Sequence, residues 1–181
     1  MQFFKLASLL AAAALASANT VTFKSLDSVS RTVYFTPNAG GNDLAEITVP
    51  GGASTTVNFP QGWVGNFYAV SDGQQKVPGM LGEVAFNGWN GITFFDVSAI
   101  VNPNDHNGVK QLYPAASSSP TSGCETFPCN NAYYLPDDVQ TKTTTETDLI
   151  CTLGGGSLQR RVEEADSPSF KRDFVLGRWT K

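Results

Sequence analysis

Residues 82–98 read GEVAFNGWNGITFFDVS. Two runs in which large apolar residues alternate with small or polar ones, 83–86 and 92–97, flank Asn87-Gly88-Trp89-Asn90-Gly91. A short Gly/Asn segment between two period-two runs predicts a β-hairpin. Glu83 stands near the start of the first strand and Asp96 near the end of the second. In an antiparallel pair those two ends lie side by side, so both carboxylates are expected at one mouth of the sheet. Any chemistry the chain performs is expected there.

The sequence on either side repeats the pattern. Strands are predicted at 21–23, 31–36, 47–49, 55–59 and 67–70 before the hairpin, and at 110–113 and 149–153 after it, with turns such as Pro50-Gly51-Gly52 and Asp72-Gly73 between them. Short strands at intervals of roughly ten residues, rich in aromatic and β-branched side chains and with almost no helical periodicity, indicate an all-β sandwich of two packed antiparallel sheets. Two segments are read as spacers able to carry O-linked sugar, the Ser/Pro/Thr stretch 117–122 and the threonine-rich stretch 142–147. No N-x-Ser/Thr acceptor occurs in the chain.

The two ends differ from this middle. Residues 1–18 combine a short basic start, the apolar run 6–15 and Ala16-Ser17-Ala18, the pattern of a secretory signal peptide too short to span a bilayer. A mature start at Asn19 and an extracellular or cell-wall location are expected, with no membrane span. Residues 19–153 form the predicted domain, and 154–181 a polar tail, expected to be disordered or processed at the dibasic pairs Arg160-Arg161 and Lys171-Arg172. The domain carries five Lys/Arg against twelve Asp/Glu, a net charge of −7, whereas the tail is net +2. An acidic domain repels phosphate backbones, so nucleic acid is not an expected partner, and a monomer is. Of three cysteines, Cys124 and Cys129 are the preferred disulfide on proximity; Cys129 with Cys151 is the competing pair. His106, the one histidine, has no neighbouring ligand pattern, so neither a metal nor another cofactor is expected.

Several pieces occur in an order that resembles the thaumatin-like proteins: Val21-Thr22-Phe23, PGGASTTV over 50–57, PQGWVG over 60–65, Leu81-Gly82-Glu83-Val84, Phe95-Asp96-Val97-Ser98, Gly123-Cys124 with Cys129 beyond it, and Ala132-Tyr133 followed by Asp137-Asp138. The resemblance spans nearly all of 19–153 and is greatest to the small fungal branch, the secreted conidial and yeast-phase-specific proteins. It implies a thaumatin-like β-sandwich, a flattened barrel with an acidic cleft. It also implies that the disulfide-rich second domain of larger members, which would supply the second wall of that cleft, is missing here, since Asn130-Asn131-Ala132-Tyr133 follows Cys129 directly. Of the cleft residues implied, Glu83 and Asp96 match the glutamate and the first aspartate. The arginine position falls on Asn66, the second aspartate on Val101 with Asp105 as substitute, and the last on Asp137 or Asp138.

Three roles follow as expectations. The first is non-catalytic association with cell-wall or host-surface polysaccharide such as β-glucan, in development or host contact. The candidate contacts are Glu83, Asp96, Asp105, Asp137, Asp138, Trp89 and Tyr133, with Trp63, Tyr68 and Tyr134 as further aromatic faces. A second is a weak endo-β-1,3-glucanase with Glu83 and Asp96 as the catalytic carboxyls, as the resemblance to some thaumatin-like enzymes implies. The third is an effector or elicitor recognised by a host surface protein.

Overall fold

The structure, a computed structural model, describes residues 19–155 and two short strands in the tail. The expected signal peptide, the pair Arg160-Arg161 and most of the expected processed tail lie outside the described residues. The strands are β1 (Asn19–Ser25), β2 (Arg31–Pro37), β3 (Ile47–Val49), β4 (Ser54–Phe59), β5 (Val64–Ser71), β6 (Leu81–Ala85), β7 (Thr93–Ser98), β8 (Val109–Pro114), β9 (Ser122–Gly123), β10 (Lys142–Thr144) and β11 (Asp148–Leu153). In the tail, β12 (Lys171–Asp173) and β13 (Arg178–Thr180) pair antiparallel with each other.

The first eleven strands form two sheets. One runs β4-β1-β11-β8-β9, and the other runs β10-β7-β6-β5-β2-β3. Every pairing is antiparallel except that of β1 with β11, the first and last strands of the domain, which lie parallel from Thr20 opposite Asp148 to Ser25 opposite Leu153. A parallel neighbour cannot be joined by a tight turn, so this closure rests on the whole intervening chain. Sequence periodicity located β1 and β11 but had no means of pairing them.

Alternation places one face of each sheet inward. Val21 and Phe23 of β1, Leu112 of β8, and Leu149, Cys151 and Leu153 of β11 meet Val33, Phe67, Val84, Phe95 and Val97 from the opposite sheet, all essentially without solvent exposure. Phe23 and Phe67 pack edge to face with centroids 4.9 Å apart; Phe59 and Trp63 do the same at 4.9 Å. Such pairs add about 0.5–1.5 kcal/mol beyond the area they bury. Gly82 makes room for this packing, because a Cβ there would lie 2.4 Å from the Phe67 ring.

Two segments read as spacers prove structural. Lys142–Thr144 is the edge strand β10, paired with Phe95, Phe94 and Thr93 of β7. Ser122, at the end of the other segment, is buried, and its hydroxyl accepts the Val97 N–H at 2.9 Å, so it ties β9 to β7 across the two sheets. Cys124 and Cys129 are bonded, and Cys151 is a free thiol buried in β11, pushed to a higher pKa by that burial. The competing Cys129 to Cys151 bridge is not formed.

A buried ion pair fastens one end of the sandwich. Arg31 is 1% exposed; its Nη1 and Nη2 donate to the two Asp27 oxygens at 2.8 and 2.7 Å, and its Nε donates to the Asn107 carbonyl at 2.6 Å. Asp27 also accepts the N–H groups of Val29 and Gly155, both at 2.9 Å. The guanidinium bond first, and those N–H groups with it, hold the Asp27 carboxyl down at about 2 against the opposing effect of burial. Sequence reading counted Arg31 only as one of five domain cations.

Candidate functional site

The expected hairpin is present, and its register sets the site. Glu83 of β6 lies directly opposite Asp96 of β7. The row continues through Asn66 of β5, opposite Glu83, and Thr36 of β2, opposite Asn66. Because side chains alternate by two, all four belong to the outer face, while Val84 and Phe95 beside them enter the core. The chain reversal is made by Asn87, Asn90 and Gly91, all with positive φ, which Asn and Gly adopt at least cost.

The return of the chain after the disulfide completes the site. Tyr133 joins the edge of β7, its N–H donating to the Val97 carbonyl at 2.9 Å and its carbonyl accepting from Ala99 at 2.7 Å. Thr141, one residue before β10, comes opposite Asp96 and donates to its Oδ2 at 3.2 Å; the Thr141 and Tyr133 hydroxyls bond each other at 2.8 Å. Residues 131–141 thus stand at the side of the carboxyl pair. Around it is a cavity of about 300 Å³, with Asn38, Tyr133 and Thr141 on its polar side and Val64, Ala85 and Phe94 as an adjoining apolar strip. That strip is itself the next register row, Val64 opposite Ala85 and Ala85 opposite Phe94.

Asp96 is 8% exposed, and its Oδ1 is buried with no donor upon it. Its pKa is pushed up to about 7, first by burial, then by the charge of Glu83 and a hydrogen bond with that carboxylate; the Thr141 hydroxyl and the Lys142 ammonium act in the opposite sense. A protonated Asp96 donating to Glu83 accounts for all of this. Loss of water and the neighbouring carboxylate both favour the protonated form of Asp96.

The other expected contacts lie apart from this cavity. Asp105 accepts the N–H groups of Met80, Asn107 and Gly108 at 2.8 to 2.9 Å. It organises the 102–108 loop beside a separate cavity and does not stand in for an aspartate at the Glu83/Asp96 pair. Val101 is 55% exposed on the loop after β7. Asp138 accepts the N–H groups of Tyr134 and Leu135 and so shapes a turn, and Asp137 is exposed next to it. Neither lines the cavity. Trp89 is 76% exposed at the hairpin tip, Trp63 and Tyr68 are buried, and the Tyr134 hydroxyl accepts the Cys129 N–H at 3.1 Å. Thr141 and Asn38 were missed because they are contributed by irregular segments that carry no pattern of their own. Among the described residues no group of three or more His, Cys, Asp or Glu is placed to hold a metal ion.

Two packed sheets, with the Glu83/Asp96 pair on the outer face of the larger one, define the class: the described domain is an all-β sandwich of the thaumatin-like fold. It shares its fold with the protein elicitor MoHrip2 from Magnaporthe oryzae, at a TM-score of 0.57 and 16% identity over 75% of this chain and 98% of the other. A weaker likeness, TM-score 0.47 and 16% identity over 74% of this chain and 97% of the other, is to the thaumatin-like xylanase inhibitor TLXI. In sequence the chain is 61% identical over 138 residues to the antigenic protein SchS21 of Stachybotrys chartarum, covering 76% of this chain and 96% of that protein, and it belongs to the same family. No family model matches the chain.

Proposed function

We propose that the domain is a secreted, non-catalytic protein that associates with cell-wall or host-surface glycan through the Glu83/Asp96 cavity. The observation that carries this reading is the opposition of the two carboxyls across β6 and β7 in a single cavity. Glu83 and Asp96 face each other across adjoining strands, and Glu83 acts on Asp96 both by its charge and by hydrogen bonding. A retaining glycosidase needs its carboxyls about 5–5.5 Å apart and an inverting one about 6.5–9.5 Å, so that a glycosidic bond or a water fits between them. Carboxyls that interact directly leave no room between them for a glycosidic bond or a water, and this disfavours the endo-β-1,3-glucanase reading. It suits binding, because carboxyl, amide and hydroxyl groups beside an apolar strip match the alternation of hydroxyl edges and C–H faces in a sugar chain.

Export rests on the 1–18 segment, and no helix among the described residues is long and apolar enough to cross a membrane. A role in fungal development or host contact rests on the family resemblance and on a fungal relative. The effector or elicitor reading is kept as a second one on a single observation, that the relative sharing 61% identity is called antigenic. The test incubates purified protein with laminarin, chitin and insoluble wall glucan and measures both sedimentation with the polymer and release of reducing ends. Binding without reducing ends is expected. A steady release that disappears in both Glu83→Gln and Asp96→Asn would place the protein among hydrolases instead.

A further inference from the structure

The walls of the Glu83/Asp96 cavity contain no basic side chain. The cation that acts on Asp96, Lys142 of β10, directs its Nζ to the Gln140 side chain at 3.4 Å. The cavity therefore offers two carboxyls, one with a buried oxygen that no donor occupies, and no positive charge of its own. A second groove of about 410 Å³ begins where the first ends, with Asn38 and Val64 lining both. Its walls, 38–42 and 61–64, are Asn, Gly, Gln, Ala, Val and Trp, and none is charged. Charge is confined to one end of an otherwise neutral, extended groove.

Building on the glycan reading above, we propose that the ligand is a glycan bearing a free amine. A glucosamine-type unit places its ammonium on Glu83 and Asp96 and its ring face on the strip of Val64, Ala85 and Phe94, while neighbouring units lie in the groove of Asn38, Asn42 and Gln61. The chemistry distinguishes this ligand from a neutral sugar. A hydroxyl group can bond the carboxyl pair but brings no charge that would draw the proton from Asp96. An ammonium stabilises both carboxylates, so the proton on Asp96 leaves to the buffer as the cation arrives. The charged and titratable groups around that proton are Glu83 on β6, Lys142 on β10 and Tyr133 on the return segment; β5 contributes only the neutral Asn66. N-acetylation removes the positive charge and with it both the attraction and the proton release.

The experiment is isothermal titration of the whole purified protein near pH 6, in two buffers of different ionisation heat. The ligands are tetramers of β-1,4-glucosamine, β-1,4-N-acetylglucosamine and β-1,3-glucose, and tetralysine. The glucosamine tetramer is expected to bind about tenfold or more tighter than either neutral tetramer, the scale of a charge-assisted hydrogen bond, and to release protons as it does so. Asp96→Asn should abolish the proton release and most of the preference. Glu83→Gln should reduce the preference in the same direction, with thermal melts of both variants confirming the fold. Asp148→Asn, an exposed change of the same charge on the other sheet, should alter nothing. Equal affinity for all three tetramers would overturn the amine proposal and leave the glycan reading standing. Binding of none would remove the glycan reading itself and this proposal with it. Tetralysine binding tighter than the glucosamine tetramer would replace the glycan by a basic peptide.

Discussion

Replacing Asp96 by asparagine should make the domain more stable at neutral pH. In the folded protein the Asp96 carboxyl is raised from 3.8 to about 7, whereas in the unfolded chain it ionises at its ordinary value. Below about pH 4 both states hold the proton and Asp96 contributes its full stability. As the pH climbs from about 4 towards 7 the unfolded state loses the proton first and is favoured, so stability falls across that window and levels off above it. A rise of about three pKa units at ~1.36 kcal/mol each corresponds to a loss of about 4 kcal/mol, and solvent screening at the half-buried Glu83 lowers this to about 2–4 kcal/mol. That is a large share of the roughly 5–15 kcal/mol that holds a domain folded. Asparagine matches the neutral acid in shape, can donate to Glu83 and accept from Thr141, and does not titrate. Urea unfolding from about pH 4.5 to 8.5 should therefore give a falling midpoint for the wild type and a nearly flat one for Asp96→Asn, the two converging at the acid end. A wild-type stability that rises between pH 5 and 8, or a variant that falls as steeply, would show that Asp96 is not raised by its burial beside Glu83.

Asp27 has the opposite sign: its carboxyl is held at about 2, so the ~2 kcal/mol it contributes is present above about pH 4 and disappears as the pH falls towards 2, which puts the stability maximum of the wild type near pH 4–5 in an acid and base urea series. Asp27→Asn strands the buried guanidinium of Arg31 and should cost about 3–5 kcal/mol in the same assay, with Arg31→Met losing less because it leaves no unpaired buried cation. Phe67→Ala should cost about 3–5 kcal/mol through the cavity it opens beside Phe23, and Gly82→Ala should lower the melting temperature by driving a methyl group into the same ring. Non-reducing peptide mapping should find Cys124 joined to Cys129, and Cys151 should react with a thiol reagent only at the rate of unfolding. Intact-mass spectrometry of protein from a fungal supernatant should give a chain that starts at Asn19; a species retaining Met1 would remove the argument for export.

The sequence by itself determined most of the strands of the two sheets, though not β9 or β10, and one hairpin, because period-two alternation and Gly/Asn reversals are local properties of the chain. From the same local signal it placed Glu83 and Asp96 abreast, since the register of a short hairpin follows from its turn and its buried face. It also favoured the Cys124 to Cys129 bridge on proximity alone. Only the tertiary structure decided what surrounds that carboxyl pair. The bond of Thr141 to Asp96, and of Tyr133 to Thr141, depends on how 131–141 returns along β7, which no local periodicity in that stretch announces. Lys142–Thr144 reads as a polar spacer because none of its three residues is apolar, whereas the equally short edge strand Ile47–Val49 carries Ile47 and Val49. Asp105 and Asp138, equal to Asp96 as letters, turned out to cap backbone N–H groups, whereas Asp96 lost its water and met a second carboxyl. Burial and the charge at one's elbow are properties of the folded assembly, and they separate an aspartate that shapes a loop from one whose carboxyl is pushed towards its protonated form.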